Sequence, residues 1–116
     1  MLRPVTKKDI NQFWSFDQRE KETLARKLAC ELPTLRAKVG VSQDDIAKAT
    51  GISRQTYGAY EKGDRPIPWS MFLALLFYFD YIPSTHRLIR TLELFPSEFD
   101  ECWLAATILE NEENHE

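Results

Sequence analysis

Arginine and glutamine stand side by side at positions 54 and 55, followed by Thr56, Gly58 and Ala59. Arginine can meet the paired acceptors of a guanine edge, and glutamine the acceptor and donor of an adenine edge. The small residues beside them would let a helix come close to a surface. The chemistry on offer is hydrogen bonding to base edges, and nothing in the chain competes with it as a catalytic set. His86 and His115 are the only histidines, and neither has the serine, cysteine or carboxylate pattern that catalysis would need. Cys30 and Cys102 lack the spacing of a zinc site or a disulfide framework and read as free thiols of a reducing cytoplasm. The expectation is a protein that is not an enzyme and uses no metal or cofactor.

The elements that must hold those residues are written in the run SQDDIAKATGISRQTYGAYE, Ser42 to Glu61. Ser42 and Asp45 form the acidic variant of a capping box and start one short helix. Gly51 suits the left-handed residue that ends it, and Ser53 caps a second helix that runs to Gly63. Each is about two turns long and too short to persist alone, so packing must stabilise both. Ile46 and Ala47 face inward from the first helix, with Ala47 small enough for a close crossing. Ile52 plugs the turn, and Tyr57 and Tyr60 return to the buried side of the second helix. The opposite face of that helix carries Arg54, Gln55, Thr56, Gly58 and Ala59. Lys62 and Arg65, around its end, can reach a phosphate rim, whereas Lys48 reads as a solvated charge.

The wider chain fits a helical protein. It has 116 residues, 43% of them hydrophobic, only 4 glycines and no run that alternates like a strand. Net charge is −3, but the average hides an asymmetry. Between Pro33 and Pro66 six basic residues face four acids, while from Glu93 onward there are eight acids and no lysine or arginine. Arg3, Lys7, Lys8 and Asp9 interrupt any early apolar run, so no signal peptide is expected. The stretch MFLALLFYF, Met71 to Phe79, is far shorter than the ~20 residues that span a bilayer. Neither a membrane association nor a location other than the cytoplasm is expected.

Helical periodicity supplies the rest. A short helix at about 6–14 carries Ile10, Phe13 and Trp14. From Asp17 a long pattern follows, with Leu24, Leu28, Leu32, Leu35 and Val39 on one stripe up to Gly40. Pro33 interrupts it, and the unbroken stripe predicts one kinked helix over two separate ones. After the short helices at about 42–50 and 53–62 and the turn-rich KGDRPIP, helices are predicted at about 68–80 and 83–94. A last helix starts near Ser97, with Phe99, Trp103, Ala106 and Leu109 on one face. His86 reads as exposed and inert.

From about Leu32 to Asp80 the chain resembles the phage-repressor and Cro-like helix-turn-helix domains, the XRE family. The matching marks are Arg36, Gly40, Ser42, Gln43, Ile46, Ala47, Gly51, Ile52, Ser53, Tyr57, Glu61 and Gly63. The resemblance implies an all-α, lambda-repressor-like bundle with additional N- and C-terminal helices. It implies sequence-specific binding of double-stranded DNA by a transcriptional regulator, expected to repress, with the helix of about 53–62 in the major groove. Arg54, Gln55, Thr56, Gly58 and Ala59 would read bases, while Gln43, Ser53, Lys62 and Arg65 would hold phosphates. Arg36 and Glu61 match positions that commonly form an ion pair between the first domain helix and the recognition helix. Two departures stand out. Tyr57 and Tyr60 replace the family's usual aliphatic residues, so each hydroxyl needs a buried partner or reaches the DNA rim. Gly58 lies inside the recognition helix, either for close approach to the groove or as a tolerated small surface residue.

Three segments are expected: residues 1–31 as a helical extension on the core, 32–80 as the helix-turn-helix domain, and 81–116 as packing or dimerisation helices with an acidic tail. MFLALLFYF is apolar on every face and needs cover from the C-terminal helix or from a second subunit. A homodimer on two half-sites is the economical reading. An antitoxin using the same domain, or a helical protein-interaction module that has lost the DNA face, are the alternatives. No effector, small molecule or protein, is legible.

Overall fold

The computed structural model describes residues 6–100. Trp103, Ala106, Leu109, Cys102, His115 and the acidic tail, which the sequence reading singled out, lie outside the described residues. The described chain is all-helical, without a strand, and falls into two units. Residues 17–94 form the larger one, and residues 6–16 and 95–100 belong to the smaller.

In the smaller unit α1 (Lys7–Phe13) starts from a capping box, in which Thr6 Oγ1 accepts from the Asp9 amide and the Asp9 carboxylate accepts from the Thr6 amide. A helical turn begins at Ser97. Phe99 draws its aromatic neighbours together, its ring centroid 4.5 Å from that of Trp14, 5.5 Å from Phe16 and 5.9 Å from Phe95.

The larger unit is built on α2 (Gln18–Val39), one continuous helix that packs against the three elements α4, α5 and α6. Asp17 caps it by accepting from the Glu20 amide at 2.8 Å. Leu28, Leu32 and Leu35 are fully buried on one stripe, and Gly40 ends the helix with φ of 84°. Pro33 sits inside α2 on its exposed side. A proline there removes an amide donor and costs about 3 kcal/mol in an isolated helix. The buried leucines on both sides of it hold α2 together as a single element. The 31/32 boundary drawn from the sequence therefore falls within one helix.

The helices α3 (Gln43–Thr50) and α4 (Arg54–Lys62) pack on each other, and α5 (Trp69–Tyr81) packs on α3 and α2. α5 is apolar all round, but only Phe72, Leu75, Leu76 and Phe79 are buried. On its other side Phe77 and Tyr81 stay 70% and 80% exposed. α6 (Pro83–Thr91) folds back on α5, and the buried Thr85 hydroxyl donates to the Phe79 carbonyl at 2.6 Å. Asp80 then ties the two helices from the surface, bonded by Arg90 at 2.6 Å and by His86 at 2.8 Å. His86 is exposed, as its position near a helix start suggests, but it belongs to this polar clasp.

Candidate nucleic-acid interface

The turn between α3 and α4 is set by local chemistry. Ser42 Oγ accepts from the Asp45 amide at 3.0 Å, and the Asp45 carboxylate returns the contact to the Ser42 amide at 2.9 Å. Gly51 adopts φ of 77°, a conformation that costs an L side chain about 1–2 kcal/mol. The Ile52 amide reaches back to the Ala47 carbonyl at 3.0 Å and closes the cap. Ser53 Oγ then accepts from the Thr56 amide at 3.1 Å and opens α4. Ile46 and Ala47 of α3 and Tyr57 and Tyr60 of α4 are buried, while Ile52 is half-buried.

Glu61 fastens α4 to the rest of the domain. Its carboxylate accepts from Arg36 Nε at 2.6 Å and Nη2 at 3.3 Å, from Gln43 Nε2 at 2.8 Å and from the Tyr57 hydroxyl at 2.8 Å. Arg36 also donates to the Val41 carbonyl at 3.2 Å, so one guanidinium joins α2, the chain leaving it and α4. Burial pushes the Glu61 carboxyl up, but the hydrogen bonds from Arg36, Tyr57 and Gln43 outweigh it and hold the group below its ordinary range. The same contact raises the Arg36 guanidinium against the opposing pull of burial. Burial first, and then the neighbouring carboxylate, push the Tyr57 phenol far above its usual value, so it stays a neutral donor.

The outward face of α4 is different. Arg54 and Gln55 are exposed, and neither makes a hydrogen bond or ion pair with another described residue. Both stand in the first turn of the helix, where side chains project ahead of its N-terminus. Thr56, Gly58 and Ala59 are half-buried around them. The Thr56 hydroxyl accepts from Ser53 at 2.9 Å, so these two residues are engaged with each other. Lys62 and Arg65 are exposed and free of described partners, whereas Lys48 pairs with Asp44 at 3.0 Å. The structure thus leaves Arg54 and Gln55 exposed at the start of α4, Lys62 exposed at its end and Arg65 exposed just beyond it. Gln43 directs one of its two amide N–H donors to Glu61, and its Oε1 turns toward Gly58, where an added Cβ would stand 3.6 Å away.

Sequence reasoning did not find two members of the Glu61 cluster, the Gln43 amide and the Tyr57 hydroxyl. The second was within reach, because Tyr57 and Glu61 are four residues apart and share a helix face. The first joins different helices and left no local signal. Among the described residues no cluster of histidine, cysteine or carboxylate could hold a metal ion, and no helix is long and apolar enough to cross a membrane.

This geometry defines a helix-turn-helix domain: two short helices joined through a left-handed glycine, the second presenting an uncommitted polar face. Comparison with known proteins agrees with that class. Residues 27–80 match a family model described as a helix-turn-helix domain, a span that takes in most of α2 and nearly all of α5. A Pyrococcus abyssi protein with the provisional description HTH-type transcriptional regulatory protein is 33% identical over 84 residues, covering 70% of this chain and 25% of that protein. The chain therefore spans about a quarter of the length of that relative. No solved structure matches the chain significantly.

Proposed function

We propose that this protein is a sequence-specific double-stranded DNA-binding transcriptional regulator of the repressor and Cro-like kind. The observation that carries the reading is the pair Arg54 and Gln55, exposed and without a bond to another described residue on the first turn of a helix that Glu61 anchors. Side chains kept free of internal partners have their full donor capacity for base edges, and a rigid mount fixes their register. Thr56, Gly58 and Ala59 line the approach. Lys62, Arg65, Ser53 and the start of α3 at Gln43 contact the backbone and carry no sequence information. The domain of about 32–80 is the reader, and the flanking segments support it. Repression follows from occupancy of an operator that overlaps a promoter.

The active species is a homodimer. Phe77 and Tyr81 stack with ring centroids 6.5 Å apart and border a cavity of about 370 Å³ that Ala74 and Ala49 also line. Two such exposed rings on one helix favour self-association through α5, which would set two recognition helices about 34 Å apart on the duplex.

Selection of bound duplexes from a random pool tests the reading, with a palindromic consensus as the expected result. On that site Arg54→Ala or Gln55→Ala should relax preference at one base pair per half-site, an effect of about 1–3 kcal/mol. Lys62→Ala and Arg65→Ala should weaken consensus and scrambled DNA alike. An unchanged ratio of consensus to scrambled affinity in both Arg54→Ala and Gln55→Ala would show that α4 is not the reader.

A further inference from the structure

Beside the connection that leaves α4, two adjoining cavities of about 300 and 250 Å³ run along the first half of α2. Glu22, Pro66 and Ile67 line both, so they form one groove. Three cations border it, Lys21, Arg26 and Arg65, against the single carboxylate of Glu22. The cations differ in their commitments. Lys21 Nζ sits over the Trp69 ring, 5.5 Å from its centroid. Arg26 is exposed, and among the described residues its one hydrogen bond is a 3.4 Å contact to the Thr23 hydroxyl, too long to hold the guanidinium. Arg65 is exposed and has no bond to another described residue. The small residues Ala29 and Gly63 line the same groove as these two arginines. Gly63 is the residue that ends α4, so the groove opens where the recognition helix stops.

We propose that Arg26 is a further backbone contact, binding the DNA phosphate next to the one held by Arg65 and making the first half of α2 part of the interface. The inference rests on the DNA-binding reading above. Arg26 lies ten residues before Arg36, about 15 Å along the helix. α2 therefore carries a positive charge beside the end of α4, where Gly63 and Arg65 line the same groove. Two exposed guanidiniums on one groove repel each other, and phosphates along a DNA strand would relieve that repulsion, each taking one guanidinium with bidentate geometry. Glu22 on the same groove opposes the phosphate, so its charge should weaken binding.

The test uses the full chain on its selected duplex, with binding titrated between 50 and 200 mM salt. Loss of one phosphate contact lowers the salt slope by about 0.9 per protomer, so for Arg26→Ala the fall in affinity over that range should be about 3–4-fold smaller per protomer. Base preference should stay unchanged, phosphate-ethylation interference should lose one position per half-site, and Arg26→Lys should recover most of the slope. Glu22→Gln should tighten binding most at low salt. If Arg26→Ala keeps the wild-type slope and interference pattern while Arg65→Ala reduces its own, Arg26 is not a contact although the DNA reading stands. If wild type itself shows no salt-dependent binding to duplex DNA, both readings fall together.

Discussion

Replacing Glu61 by glutamine should show how much of the mounting of α4 depends on one charge. The carboxylate accepts four hydrogen bonds and its side chain is only 8% exposed. Removing one partner of a buried, hydrogen-bonded ion pair typically costs about 3–5 kcal/mol, because the other charge stays behind. Two features reduce that here. Arg36 is 22% exposed and keeps its bond to the Val41 carbonyl, and glutamine retains one acceptor oxygen. The expected loss is therefore about 2–3 kcal/mol at neutral pH. For a domain of this size it should lower the melting temperature by about 10 °C. The dependence on pH has a definite sign. Because the folded carboxyl lies below its ordinary value of 4.5, its contribution is complete above that value and disappears as pH falls through the lowered one. Urea unfolding of wild type and Glu61→Gln should give curves that are far apart at pH 7 and converge in acid. Arg36→Met should cost much less in the Glu61→Gln background than in wild type. A gap below about 1 kcal/mol at pH 7, or one that persists unchanged in strong acid, would refute the reasoning.

Three further outcomes are expected. Gly51→Ala should cost about 1–2 kcal/mol through the left-handed backbone alone, since no atom lies within 4 Å of the added carbon; thermal melts measure it. Gly58→Ala meets only ordinary contact with Gln43 and should stabilise the helix by up to ~1 kcal/mol. If Gly58 serves close approach to the groove, the same variant binds its site less tightly, whereas undiminished affinity would mark it as a tolerated surface residue. Phe77→Asp changes a side chain that is 70% exposed, so the fold should survive while sedimentation at micromolar concentration shifts toward monomer.

How legible this protein was depended on the range of each interaction. The starts of α1, α3 and α4 were readable because Thr6, Ser42 and Ser53 each bond an amide three residues ahead. The ends at Gly40, Gly51 and Gly63 were readable because positive φ is a property of the residue itself. The long helix across Pro33 was also legible, since its leucine stripe keeps one phase on both sides of the proline. α5 was legible as a helix but not as a surface. With apolar residues on every face, its own pattern could not say that Phe72 and Phe79 turn inward while Phe77 and Tyr81 stay outside.

By itself, then, the sequence determined where helices start and stop and which short helix carries free donors, because capping, left-handed turns and helical periodicity act over a few residues. It also supplied the outward face of Arg54 and Gln55. The tertiary structure decided what those pieces do to one another. Gln43 and Glu61 are 18 residues apart and belong to different helices, so only the crossing of α3 and α4 brings amide to carboxylate. Arg26 and Arg65 share a groove only because α2 lies beside the connection after Gly63. Contacts of that kind depend on the relative placement of whole helices, which no local spacing encodes.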